Sequence, residues 1–158
     1  MGAFNIDKKQ EGDSVVMQFE GILDEAASFG GVELSGGNKY VFDLEKVSAI
    51  NSCGIREWVN WLKTGESAQE IVYKNCPKII VDQINMVAGF LPNNGKVESF
   101  YVPYYCDETG AEKMILFKHG AEFKEGEVNP PDGIKDDETG DEMEMDVIEA
   151  KYFKFIKK

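Results

Sequence analysis

Ser52 and Cys53 stand side by side in the stretch Ile50-Asn51-Ser52-Cys53-Gly54-Ile55-Arg56, a hydroxyl and a thiol where an apolar strand pattern gives way to a helical one. Either side chain acting as a catalytic nucleophile needs a base within reach. The only histidine, His119, lies in another part of the chain, and no paired-carboxylate signature accompanies the turn. That argues against an enzyme. Three other roles fit the residue types. Ser52 suits the N-cap of a helix starting near Gly54, its oxygen accepting an unpaired backbone N–H for ~1 kcal/mol. A phosphoryl group on the same hydroxyl would meet the helix N-terminus and add about 1.5 to 2 negative charges to an exposed surface. Arg56, the only arginine, lies four residues on and shares that face. Cys53 gains some thiolate character from the helix start or is simply a small, partly buried residue.

A second set of residue types lies near the C-terminus. Cys106-Asp107-Glu108-Thr109-Gly110 is echoed thirty residues later by Asp136-Asp137-Glu138-Thr139-Gly140, and each copy leads into a more regular segment. Two such turns resemble the plan of a zinc ribbon, in which Cys-x-x-Cys-Gly occurs twice. The corresponding positions here are Cys106, Thr109, Asp136 and Thr139, one thiolate and one carboxylate where a structural zinc wants four nitrogen or sulfur ligands. Calcium at Asp136-Asp137-Glu138 lacks the oxygen spacing of a helix–loop–helix calcium site. The expectation is a degenerate ribbon without metal, held by apolar contacts from Ile115, Phe117, Met143, Met145, Phe153 and Phe155.

The elements that position these residues follow from periodicity. Ser14 to Gly21 and Tyr40 to Leu44 read as strands, the second preceded by the turn signal Gly36-Gly37-Asn38. Asp24 to Phe29 has room for a short helix before Gly30-Gly31. Ile55, Trp58, Val59 and Leu62 mark one face of an amphipathic helix ending near Gly65, with Trp58 inward and Trp61 toward the edge of that face. Glu70 to Lys74 is a strand. Pro77 suits a first helical turn, and Ile80, Ile84, Val87 and Leu91 predict a helix over 78–91. Val97 to Val102 predicts a further strand. Gly126 to Gly133 reads as a mobile connector, and alternation from Lys151 to Phe155 suggests a terminal strand edge. The glycine pairs do not lead into Gly-Lys-Ser/Thr and read as turns, not phosphate loops.

Residues 14–102 in this order resemble the STAS domain, the fold of bacterial anti-anti-sigma factors and of the cytoplasmic ends of sulfate transporters. Gly21-Ile22-Leu23-Asp24 is similar to the family's Gly-x-Leu-Asp, and Tyr40 to Leu44 to its central strand. Asn51-Ser52-Cys53-Gly54-Ile55 resembles its Asp-Ser-Ser-Gly-Leu turn, and Cys76-Pro77 through Gly89-Phe90-Leu91 its following helix. The resemblance implies an α/β fold, a mixed sheet covered by helices on one face, with phosphorylation in switching members at the position of Ser52. Asn51 replaces the motif's aspartate and Cys53 its second serine, so a kinase reading the acid would meet a different turn.

Composition bounds the rest. The chain has 158 residues, 42% hydrophobic, with 17 basic and 29 acidic side chains and a formal net charge of −12. Such a surface repels nucleic acid and anionic membranes. No leader pattern opens it and no apolar run approaches a membrane span, which predicts a cytoplasmic protein. Three unevenly spaced cysteines, Cys53, Cys76 and Cys106, read as reduced thiols. The division expected is a STAS-like domain over 1–102 and an acidic, β-rich appendage over 103–158, which holds seven of the twelve net negative charges. The function expected is a non-catalytic regulatory module that binds a protein partner, an anti-sigma factor, serine-kinase-like or other signalling protein, through Asn51, Ser52, Cys53, Gly54 and Arg56. It needs no cofactor and no metal. The alternative is a sensor domain for a nucleotide or lipid, although no basic or phosphate-cradling pocket is legible.

Overall fold

The computed structural model describes residues 4–27, 29, 34, 39–65 and 68–157; the Gly30-Gly31 and Gly36-Gly37-Asn38 turns lie outside them. Five strands form a mixed sheet in sequence order: β1 (Asn5–Glu11), β2 (Ser14–Leu23), β3 (Lys39–Ile50), β4 (Glu70–Lys74) and β5 (Gly95–Val97). β1 pairs antiparallel with β2, and the later neighbours pair in parallel. α1 (Ser52–Leu62) connects β3 to β4, and α2 (Lys78–Met86) connects β4 to β5. Both crossovers step the same way along the sheet, so the right-handed rule puts both helices on one face. The chain is thus α/β.

Alternation explains the packing. Val15, Met17 and Phe19 of β2 and Tyr40, Phe42 and Leu44 of β3 turn inward and are buried, while the residues between them stay partly open. α1 lays Trp58, Trp61 and Leu62 on this surface. Phe19 meets Trp58 edge-on at 5.1 Å, Trp61 stacks on Phe42 at 5.5 Å, and Phe90 stacks on Trp58 at 5.7 Å. A polar line through this aromatic core is satisfied. Trp58 Nε1 donates to the Tyr73 hydroxyl at 3.0 Å, which donates to the Phe90 carbonyl at 2.6 Å. Trp61, at the edge of the helix face, is also buried in the core.

The sheet hands over to a second one inside the segment read as the strand Val97 to Val102. β5 ends at Val97, and β6 (Ser99–Tyr105) turns away to pair antiparallel with β7 (Glu112–Lys118) and with β10 (Glu144–Met145). Between β7 and β10, β8 (Phe123–Lys124) and β9 (Glu127–Val128) form a short hairpin, and of the two only β9 falls inside the 126–133 stretch read as a connector. Gly126 N donates to the Ile156 carbonyl at 2.9 Å, which ties that hairpin down. Phe100, Phe117 and Phe153 fill a second aromatic cluster continuous with the first.

Three further expectations are corrected. The terminal alternation is not a strand: α3 (Glu149–Tyr152) and α4 (Lys154–Lys157) bury Tyr152, Phe153 and Ile156 at helical spacing. α2 stops at Met86, because Val87 is already extended and Gly89 has φ +87°, so Val87 and Leu91 reach the core from a loop. At Asp24–Ala27 the chain turns instead of forming a helix, with Asp24 Oδ1 accepting from Ala26 N. Among the described residues no helix is long and apolar enough to cross a membrane.

Candidate functional site

The start of α1 is built by backbone contact with the end of β2. Asn51 N donates to the Leu23 carbonyl at 3.1 Å, and a Cβ on Gly54 would lie 1.9 Å from that same oxygen. Only glycine lets the helix come this close. The cap is Asn51, not Ser52: its Oδ1 accepts from Gly54 N at 2.8 Å while its backbone is extended (φ −117°, ψ 179°). The asparagine amide offers a donor as well as this acceptor. Its Nδ2 donates to Glu25 Oε2 at 3.0 Å. Accepting that bond holds the Glu25 carboxyl below its ordinary value, as does a backbone hydrogen bond.

With the cap supplied by its neighbour, Ser52 becomes the first residue of α1. It is exposed, and its hydroxyl has no hydrogen-bond partner among the described residues. Arg56 is exposed one turn further on, Cys53 is half-buried, and Gly54 is buried. Of the five expected contact residues, Asn51, Ser52 and Arg56 are exposed with Cys53 half-buried among them, Gly54 is buried against β2, and Glu25, which the sequence reading missed, stands beside Asn51. The signal for Glu25 was the acidic pair Asp24-Glu25 directly after the β2 strand. His119 is elsewhere, edge-on to Phe123 at 5.4 Å in the second part.

No known family model matches the chain. Nor does any curated protein match it closely enough to count as a relative.

The two repeated turns are nearly superimposable in their bonding. Cys106 N donates to the Ala111 carbonyl and Asp136 N to the Asp141 carbonyl, both at 2.9 Å. Gly110 N returns to the Cys106 carbonyl at 2.7 Å and Gly140 N to the Asp136 carbonyl at 2.8 Å, with φ +74° and +75° at the two glycines. Thr109 and Thr139 each accept, at 3.2 Å, from the backbone N–H two residues on. The turns meet face to face. Thr109 Oγ1 donates to Asp136 Oδ2 at 2.5 Å, and Asp136 Oδ1 accepts from Glu138 N at 2.8 Å and Thr139 N at 3.4 Å. Together these bonds, the one from Thr109 first, hold the buried Asp136 carboxyl below its ordinary value.

This donor set does not fit zinc. It offers one thiol, one carboxylate already engaged through both oxygens, and two hydroxyls, where tetrahedral zinc needs four nitrogen or sulfur donors. Instead, a hydrogen bond from Thr109 to Asp136 joins the two turns.

Proposed function

We propose that the chain is a non-catalytic, cytoplasmic protein-interaction module of the STAS, anti-sigma-factor-antagonist type. Its contact surface is the start of α1, with Asn51, Ser52, Cys53 and Arg56 meeting an anti-sigma, serine-kinase-like or other signalling protein and Gly54 seating the helix beneath them. The observation that carries this reading is the division of labour at the turn: Asn51 caps, Gly54 packs, and Ser52 is left exposed with a hydroxyl the fold does not use. A modification or a partner there leaves the helix intact. The sheet order, one antiparallel edge strand followed by parallel strands with intervening helices, supports the same reading.

Phosphorylation at Ser52 is the switch this surface allows. The helix start favours the added anion, Arg56 lies one turn away, and the Glu25 carboxylate opposes it. Binding of a partner recovered from the source cell is compared for wild type, Ser52→Asp and Arg56→Glu, each confirmed as folded by circular dichroism. A change of at least about tenfold in either variant is expected. Shifts below about twofold in both, under ~0.5 kcal/mol, remove the start of α1 from the contact surface.

A further inference from the structure

A chain with net charge −12 ends in Lys151 to Lys158, which contains four lysines and no acid. This basic end is not a loose tail over the described residues. Asn85 of α2 receives it with both ends of its amide: Nδ2 donates to the Tyr152 carbonyl and Oδ1 accepts from Phe155 N, each at 2.9 Å. The Tyr152 hydroxyl donates to the Tyr101 carbonyl at 2.5 Å. Between α2 and the segment that leads into α3 these clamps leave an open groove of about 580 Å³.

Its lining is unusual for this surface. Among the described residues three large apolar side chains are exposed, and two of them, Met86 (71%) and Ile148 (65%), line the groove, with Val147 and Ala150 beside them. Lys78 at one end is engaged by Asp82 at 2.9 Å. Lys151 and Lys154 are exposed and have no carboxylate partner among the described residues. Asp146 is the other acid on the rim. An apolar trough with two uncommitted ammonium groups suits a ligand that is itself apolar and anionic.

We propose that this groove docks a short acidic segment of another protein, seating one or two apolar side chains between Met86 and Ile148 and placing Asp or Glu against Lys151 and Lys154. Charge selects among occupants. At physiological salt, fields fade over about 8 Å, so the local lysines attract a short segment. A bilayer or a nucleic acid extends much further and meets the acidic run Asp136 to Asp146. A second copy brings its own −12. No residue from 51 to 56 lines the groove, so the inference stands apart from the reading of the α1 start.

The test is a selection of random twelve-residue peptides displayed against the immobilised full chain, followed by fluorescence anisotropy with the enriched peptides. Acidic residues flanking one or two apolar ones are expected. Affinity should fall at least about tenfold in Lys151→Glu/Lys154→Glu and in Ile148→Asp, weaken as salt rises, and stay within about twofold in Ser52→Asp and Arg56→Glu. All five substituted positions are exposed or lie outside the core, and circular dichroism confirms each fold. No enrichment, enriched peptides without acidic bias, or affinities unmoved by both groove variants overturn the proposal. So do binding to phosphatidylglycerol vesicles that the lysine variant abolishes, or a dimer in sedimentation that Ile148→Asp dissolves.

Discussion

Asn51, Ser52 and Gly54 lie within four residues and respond to substitution in three different ways. Asn51 accepts the orphan amide of Gly54, so Asn51→Ala should lower stability by about 0.5–2 kcal/mol. Ser52→Ala removes a hydroxyl with no partner among the described residues and should change stability by less than about 0.5 kcal/mol. Gly54→Ala forces a methyl onto the Leu23 carbonyl, and the backbone must move; a loss of about 3 kcal/mol is expected, at the upper end for overpacking. Urea unfolding followed by Trp58 and Trp61 fluorescence ranks the three. A larger loss at Ser52 than at Asn51 would return the cap to the serine. The sequence could not decide this, because asparagine and serine are both good N-caps and which one leads depends on where β3 lets go. What fixes the answer is the Asn51 N to Leu23 carbonyl bond, a contact between residues far apart in sequence.

At the scale of elements, the clasp between the two turns carries a pH signature. Asp136 accepts from Thr109 and from two backbone amides, and its carboxyl is held below the ordinary 3.8. A depressed folded value stabilises the protein above the unfolded value and loses that contribution as pH falls through the folded one. The stability of wild type should therefore decline below about pH 3.8 more steeply than that of Asp136→Asn, which has no charge there to lose. Equal acid limbs in denaturant titrations from pH 2 to 5 would dismiss the clasp as a source of stability. Zinc should be absent from the purified chain, and a chelator should leave Tm unchanged. The thirty-residue echo was legible because each turn is closed locally, by Gly110 and Gly140 and by a threonine. α1 was legible for the same reason, its apolar face repeating from Ile55 to Leu62 over about two turns. The terminal helices were misread: the adjacent pair Tyr152-Phe153 breaks the alternation taken for a strand, and Tyr152, Phe153 and Ile156, at spacings of one and three, are the residues that bury as one helical face. β1 carries almost no pattern, since as an edge strand only Ile6 is half-buried.

Across the whole molecule, the question is whether the five-stranded sheet and the smaller one unfold together. The join is continuous in hydrogen bonds. Beyond the end of β4, Asn75 adopts φ +54°, a conformation asparagine tolerates, and its backbone N donates to Ser99 Oγ at 2.8 Å. Cys76 N donates to the Ser99 carbonyl and Tyr101 N to the Cys76 carbonyl, so the line of β4 is carried onto β6. Tyr101 reaches back to Glu45 on β3; donating to that carboxylate pushes its phenol up to about 12. Asn85 makes the second join, bonding the Tyr152 carbonyl and Phe155 N across nearly seventy residues. Buried apolar residues of both parts form one cluster. Two parts sharing backbone bonds and a core lose both together, and one cooperative transition is expected. In urea, tryptophan fluorescence reports the first part, where both tryptophans lie, and hydrogen exchange of β7 amides reports the second; their midpoints should coincide. Asn85→Ala leaves a carbonyl and an amide unpaired at the join and should lower stability by about 2 kcal/mol, moving both probes by the same amount. If only the β7 amides respond, the second sheet opens by itself, and the groove beside Asn85 would be a feature of a separable unit.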